Sequence, residues 1–126
     1  MAVMRILHID DDEDDHEIFA TALSEASTGI ELSFIDNARD ALQNLMLASQ
    51  YPDIIFLDLN MPEMNGQQFL MEIKKQDKLK NIPIIILSTS SHKPTIELTR
   101  EAGAKDFFTK PDKYEDLVKM LKKVLN

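Results

Sequence analysis

The chain has 126 residues, no cysteine, no tryptophan, and 22 acids against 14 bases, a formal net charge of −8. Six of those acids form one run, Asp10-Asp11-Asp12-Glu13-Asp14-Asp15, and the rest of the chain carries 16 acids against 14 bases, or −2. Without cysteine there are no disulfides, no thiolate catalysis and no Cys-ligated metal centre. The longest apolar runs, Ile54–Leu57 and Ile84–Leu87 among them, are four residues, far short of a bilayer span. The N-terminus has one Arg and reaches acids by residue 10, unlike a secretory signal. The acidic balance argues against a nucleic-acid backbone as partner, which would call for clustered Lys and Arg. A soluble, cytoplasmic protein of one domain over residues 1–126 is expected, large enough to bury a core without a staple.

Along the chain, short apolar runs alternate with helical periodicity. Val3–Ile9 is a first strand that stops at the acids. Ile18, Phe19, Ala22, Leu23 and Ala26 then repeat at helical spacing, and first-turn acids such as Asp14, Asp15 and Glu17 suit the positive end of that helix. Ile30–Ile35 is a second strand, followed by the stripe Ala38, Ala41, Leu42, Leu45 and Met46 with Asn37 as N-cap. Pro52-Asp53 precedes Ile54–Leu57, and Phe69, Leu70 and Ile73 mark a third helix after Gly66. Pro83 precedes Ile84–Leu87. Ile96, Leu98 and Ala102 form a weaker stripe that ends at Gly103, a natural C′ residue. Phe107-Phe108 is a minimal fifth strand. Leu117, Val118, Leu121, Val124 and Leu125 close the chain as an amphipathic helix, with Asp112 and Glu115 at capping-box spacing. Strict alternation, five times over, predicts an α/β fold: a doubly wound, five-stranded parallel sheet of (βα)5 type. Strands that are apolar throughout are those buried on both faces.

The residues at the strand ends carry the chemistry. Strand one ends in Asp10-Asp11, strand three in Asp58, strand four in Ser88-Thr89 and strand five in Thr109-Lys110-Pro111. In an open parallel sheet these carboxyl ends share one edge, where ligands bind at the switch in strand order. Three carboxylates and one ammonium leave the site at −2, and the carboxylates raise one another's pKa. A hard dication relieves that repulsion, and oxygen-only ligands suit Mg²⁺. Asp58, alone at a central strand end, is the best nucleophile, and carboxylates do form aspartyl phosphates. Its phosphorylation would add about one more negative charge, which metal and Lys110 would offset.

These residues resemble the response-regulator receiver domain, the CheY-like family. The resemblance rests on Asp10-Asp11, on Asp58 followed by Asn60-Met61-Pro62 and Gly66, on Ser88, and on Phe107 three residues before Lys110-Pro111. The separations, 30 residues from Asp58 to Ser88 and 52 from Asp58 to Lys110, also match, and the whole chain is covered. The resemblance implies a strand order of 2-1-3-4-5 and a role for each position. Asp58 would be the phospho-acceptor. Asp10, Asp11, Asp58 and the backbone carbonyl of Asn60 would hold Mg²⁺. Lys110 and the Ser88 hydroxyl would meet the phosphoryl group, and Phe107 would be the aromatic switch. It further implies a sensor histidine kinase or phosphotransfer protein as phosphodonor, and a downstream protein reached through residues about 93 to 125. A monomer or a phosphorylation-linked dimer would fit, and no conventional turnover enzyme is implied. With residue 126 closing the fifth helix, no output domain is expected.

Departures and rivals bear on that reading. Phe107 lacks the hydroxyl of the Tyr that often stands at the switch position. The acidic run exceeds what the site needs; Asp10 and Asp11 are preferred because they directly follow Ile9, with Asp12 as the alternative. The Lys110–Pro111 bond is often cis in the family, which an X–Pro bond permits. A haloacid-dehalogenase-like phosphohydrolase would need a second Asp at position 60, where Asn60 cannot transfer a proton. A flavin-binding module would need a phosphate loop where six acids stand. An EF-hand fails at Asp15 and Thr21, which occupy its Gly and Glu positions. His8 and His92 have no ligand partner in sequence, and no catalytic His is expected.

Overall fold

The computed structural model describes residues 3–126; Met1 and Ala2 lie outside the described residues. In chain order the elements are β1 (Met4–Ile9), α1 (Glu13–Ala26), β2 (Ile30–Ile35), α2 (Ala38–Leu47) and β3 (Ile54–Leu57). After these come α3 (Gly66–Lys74), β4 (Ile84–Ser88), α4 (Lys93–Glu101), β5 (Asp106–Thr109) and α5 (Tyr114–Leu125). The strands form one parallel sheet in the order β2-β1-β3-β4-β5, as the resemblance implies.

The uniformly apolar strands feed two cores, because successive side chains point to opposite faces. On one face Leu7, Ile9, Ile55, Leu57, Ile84, Ile86 and Phe107 pack with α2 and α3 through Ala41, Leu45, Phe69, Leu70 and Ile73. On the other, Ile6, Phe56, Ile85 and Leu87 meet α1 and α5 through Phe19, Leu23, Leu117, Val118 and Leu121. All five β4 residues are buried, as expected for an interior strand of a doubly covered sheet.

Helix starts reflect local polar chemistry, with one correction. Asp12 caps α1, its side chain accepting from the Asp14 and Asp15 N–H groups. Asn37 caps α2, as its position predicts. Asn65 and Gln68 form a full capping box at the start of α3. The box expected from Asp112 and Glu115 does not form: Lys113 is extended at the N-cap of α5 and makes no side-chain cap bond. The helix therefore begins one residue later than that spacing requires. Glu115 and Asp116 fall in its first turn, where they face the positive end of the helix dipole.

The apolar stripes also shift in places. Leu98 is exposed, and the buried residue of α4 is Thr99, whose hydroxyl donates to the Ile96 carbonyl at 2.8 Å. A threonine that satisfies its own hydroxyl within the helix can be buried at small cost. Ile18 and Met46, at the margins of their stripes, are about half exposed. Gly103 does follow the α4 C-cap with φ 107°, the left-handed conformation that glycine adopts freely.

The order β2-β1-β3 makes the chain leave β1 for one side of the sheet and return to the other at β3. The carboxyl ends of β1 and β3 are therefore neighbours at the switch point, tied by the Asp58 N–H donating to the Ile9 carbonyl at 2.9 Å. Gly66 braces this edge from behind. A Cβ there would stand 2.5 Å from the Asp58 carbonyl oxygen and 2.8 Å from Leu59 Cα, both backbone atoms. Gly66→Ala is expected to cost about 1–3 kcal/mol of stability through forced backbone displacement, read by urea unfolding. An unchanged unfolding midpoint would show that the loop yields freely.

Candidate phosphorylation site at the switch point

Four strand ends deliver side chains to one edge of the sheet. Asp10 follows β1 and is fully buried, Asp11 beside it is exposed, and Asp58 follows β3 and is 6% exposed. Carboxylate oxygens from all three lie within 4.8 Å of one another. Ser88 ends β4 fully buried, its Oγ accepting from the Ser90 N–H at 3.3 Å. Lys110 follows β5, its backbone N–H bonded to the Ser88 carbonyl. The Lys110 Nζ donates to Asp10 Oδ2 at 3.0 Å and to Asp15 Oδ2 at 2.8 Å, and stands 3.7 Å from Asp58 Oδ1. The Lys110–Pro111 bond is trans, no cis peptide occurring among the described residues.

The electrostatics come from burial against pairing. Burial, reinforced by the charges of Asp10 and Asp11, pushes the Asp58 carboxyl up to about 6; Lys110 and the Asn60 backbone oppose that rise. Burial also raises Asp10 above the ordinary carboxylate range, against the Asp12 N–H at 3.0 Å and Lys110. For Lys110, burial alone would favour the neutral amine; hydrogen bonds to Asp15 and Asp10 and the charge of Asp58 outweigh it and hold the ammonium above its usual range. One ammonium thus serves three carboxylates, Asp10, Asp15 and Asp58, while Asp10, Asp11 and Asp58 lie close enough to share a cation. Only oxygen donors converge here, with no sulfur and no imidazole in the group. The donor set fits a hard divalent ion.

Each residue expected at the site finds a definite place. Asp10, Asp11, Asp58 and Lys110 come together directly. Ser88 stands on the neighbouring strand, and Asn60 is exposed in the loop after Asp58. Phe107 does not line the carboxylate cluster; it is buried in the core beside α2 and α3. Asp12 is occupied as the α1 cap and Met61 is buried in the core, so neither joins the cluster.

Two features escape a reading of the sequence. Asp15 belongs to the site through Lys110. A run of six acids conceals which one turns inward, but with Asp12 as N-cap Asp15 is N3, the position whose side chain reaches back over the helix start. The second is an aromatic ladder under the site: Phe34 stacks on His16 at 3.8 Å and His8 on Phe19 at 4.2 Å. The Nδ1 atoms of His8 and His16 are 2.9 Å apart, so one ring donates and the other accepts. Burial, with His16 and Lys110 nearby, lowers His8 to about 3 and keeps it neutral. His16 is hidden in the sequence because its stacking partner Phe34 lies on β2, distant along the chain.

A sequence model of the response regulator receiver domain matches residues 6–122. The chain belongs to the response-regulator receiver family. As a receiver it is a signalling module of two-component systems, a class that works with a phosphodonor and downstream partners. Two-component response regulator ORR11 of Oryza sativa subsp. indica is 32% identical over 120 residues, covering 95% of this chain and 80% of the relative. The phosphorylated cyanobacterial phytochrome response regulator RcpA superposes with a TM-score of 0.89 at 27% identity, covering 98% of this chain and 91% of that one. A Mn²⁺-bound form of response regulator Rcp1 gives 0.86 at 28% identity, covering 96% and 91%. No helix among the described residues is long and apolar enough to cross a membrane.

The raised Asp58 carboxyl has a consequence for stability. An acid with a raised folded-state pKa contributes stability that is full below its unfolded value, near 3.8, and is lost as pH rises through about 6. Asp58→Asn removes that dependence. In metal-free buffer the variant is expected to exceed the wild type by on the order of 1–3 kcal/mol above pH 6, the gap closing toward pH 4. Thermal melts across that range read it, and a gap independent of pH would contradict the assignment of the strain to an ionised Asp58.

Proposed function

We propose that this receiver takes a phosphoryl group on Asp58 from a phosphohistidine of a sensor kinase or phosphotransfer protein, in a Mg²⁺-dependent reaction. Asp58 Oδ attacks phosphorus, the P–N bond to the donor imidazole breaks as the O–P bond forms, and the product is an acyl phosphate. The observation that carries this reading is the convergence of the Asp10, Asp11 and Asp58 carboxylates with the Lys110 ammonium at one edge of the sheet. The Mn²⁺-bound Rcp1 and the phosphorylated RcpA support it by likeness.

Each residue then has a task. Asp10, Asp11, Asp58 and the Asn60 carbonyl would hold Mg²⁺, which supplies positive charge for the transferring oxygens. Lys110, already 3.7 Å from Asp58, turns to pair with the phosphoryl group. The Ser88 hydroxyl, buried at the adjacent strand end, donates to a phosphoryl oxygen. Moving Ser88 and Lys110 pulls on β4 and β5, and Phe107, close to both along the β4–β5 ladder and buried in the core, repacks with them. The bistable region is then α4, β5 and α5, residues about 93 to 125, and its surface is where a downstream protein reads the state.

A small acyl-phosphate donor with Mg²⁺ tests the assignment. Intact-mass measurement should show one added phosphate on the wild-type chain, none without Mg²⁺ and none on Asp58→Asn. Equal labelling of Asp58→Asn would place the acceptor elsewhere.

A further inference from the structure

Lys110 has a partner that neither metal binding nor phosphoryl transfer requires. Its shortest contact is 2.8 Å, to Asp15 of α1, and Asp58 at 3.7 Å is the most distant of its three carboxylates. Asp15 is held for this. Its backbone N–H donates to Asp12 Oδ1 at 3.2 Å, so the cap that starts α1 also fixes the residue whose side chain reaches back to the sheet edge. Behind the pair lies a cavity of about 110 Å³ walled by Ile18, Phe19, Leu87, Pro111 and Leu117. That space gives the lysine room to turn, and the carboxylates that line it, Asp10 and Asp15, are the two the ammonium already holds. Lys110 therefore has two sets of destinations, Asp15 with Asp10 on one side and Asp58 on the other.

We propose that Asp15 is a positioning residue, a competing carboxylate that holds Lys110 on the α1 side in the resting state and gives it up when the lysine turns to the phosphoryl group on Asp58. This inference rests on reading Asp58 as phospho-acceptor. It assigns Asp15 two opposed effects. By drawing the ammonium toward α1, Asp15 leaves Asp58 freer to take the cation. By competing with the phosphoryl group for the same ammonium, it makes the phosphorylated state harder to reach and hold. The α1 start and the β5–α5 turn are thereby joined at rest and parted on activation.

The test is metal and phosphate-mimic binding by calorimetry, with circular dichroism to verify folding. Asp15→Asn, an isosteric change on a partly exposed side chain, should weaken Mg²⁺ roughly two- to five-fold. At saturating Mg²⁺ it should tighten beryllofluoride by a similar factor. Asp15→Glu should restore both in part, and Asp14→Asn, a first-turn acid without a bond to Lys110, should change neither. In a Lys110→Met background, Asp15→Asn should leave Mg²⁺ affinity unchanged, since the effect runs through the lysine. The inference is overturned if Asp15→Asn leaves both affinities unchanged, if Asp14→Asn matches it, or if its effect persists without Lys110. A wild-type chain that binds neither ligand overturns the phospho-acceptor reading itself, and with it this inference.

Discussion

Repulsion among carboxylates at the β1 and β3 strand ends is the constraint around which the rest of the molecule is arranged. Asp10 and Asp58 are buried and Asp11 stands beside them, with one ammonium shared among Asp10, Asp58 and Asp15. Bringing like charges together in a low-dielectric setting costs energy unless protons or cations enter. The fold tolerates that cost because two apolar cores, one on each face of the sheet, fix the strand ends in place. The same repulsion makes the site responsive: a cation or a phosphoryl group changes its charge balance more than a neutral ligand could. Burial and charge pairing therefore pull in opposite directions at Asp58.

Lys110 is the point where the competing demands meet. It follows the last strand of the sheet, its backbone is tied to Ser88, and its side chain reaches α1 through Asp15 and the carboxylate cluster through Asp10. A change in what Lys110 pairs with is thus felt by β4, β5 and α1 together. The buried, neutral His8 lies against the same corner, with Nε2 3.6 Å from Asp10 Oδ2, and its stack on Phe19 gives this side of the sheet a rigid floor. These stacked rings pack this corner closely.

Much of this was legible in the chain because its signals are local. Uniformly apolar strands, turn-forming Pro and Asn, and polar residues at strand ends specified the alternation, and Asp58, Asp10, Asp11, Ser88 and Lys110 stood out by position. What stayed hidden depends on three-dimensional register. Asp15 looks like any other first-turn acid until Asp12 is seen to cap α1, which makes Asp15 the acid that turns back. His16 finds Phe34 and His8 only after β1 and β2 pair in register. Thr99 displaces Leu98 from the core because its hydroxyl is satisfied inside the helix, a bond no hydropathy pattern records. The Asp112–Glu115 spacing suggested a cap that the extended Lys113 forestalls, an offset of one residue that spacing alone does not resolve.

The central claim is that Asp58 is a strained carboxylate awaiting a cation. Carbon-13 NMR of its side-chain carboxyl across a pH titration measures this directly. The account predicts a midpoint at about 6 in metal-free buffer, falling when Mg²⁺ is added because the ion favours the carboxylate. A midpoint in the ordinary range near 4 that Mg²⁺ leaves unmoved would contradict it.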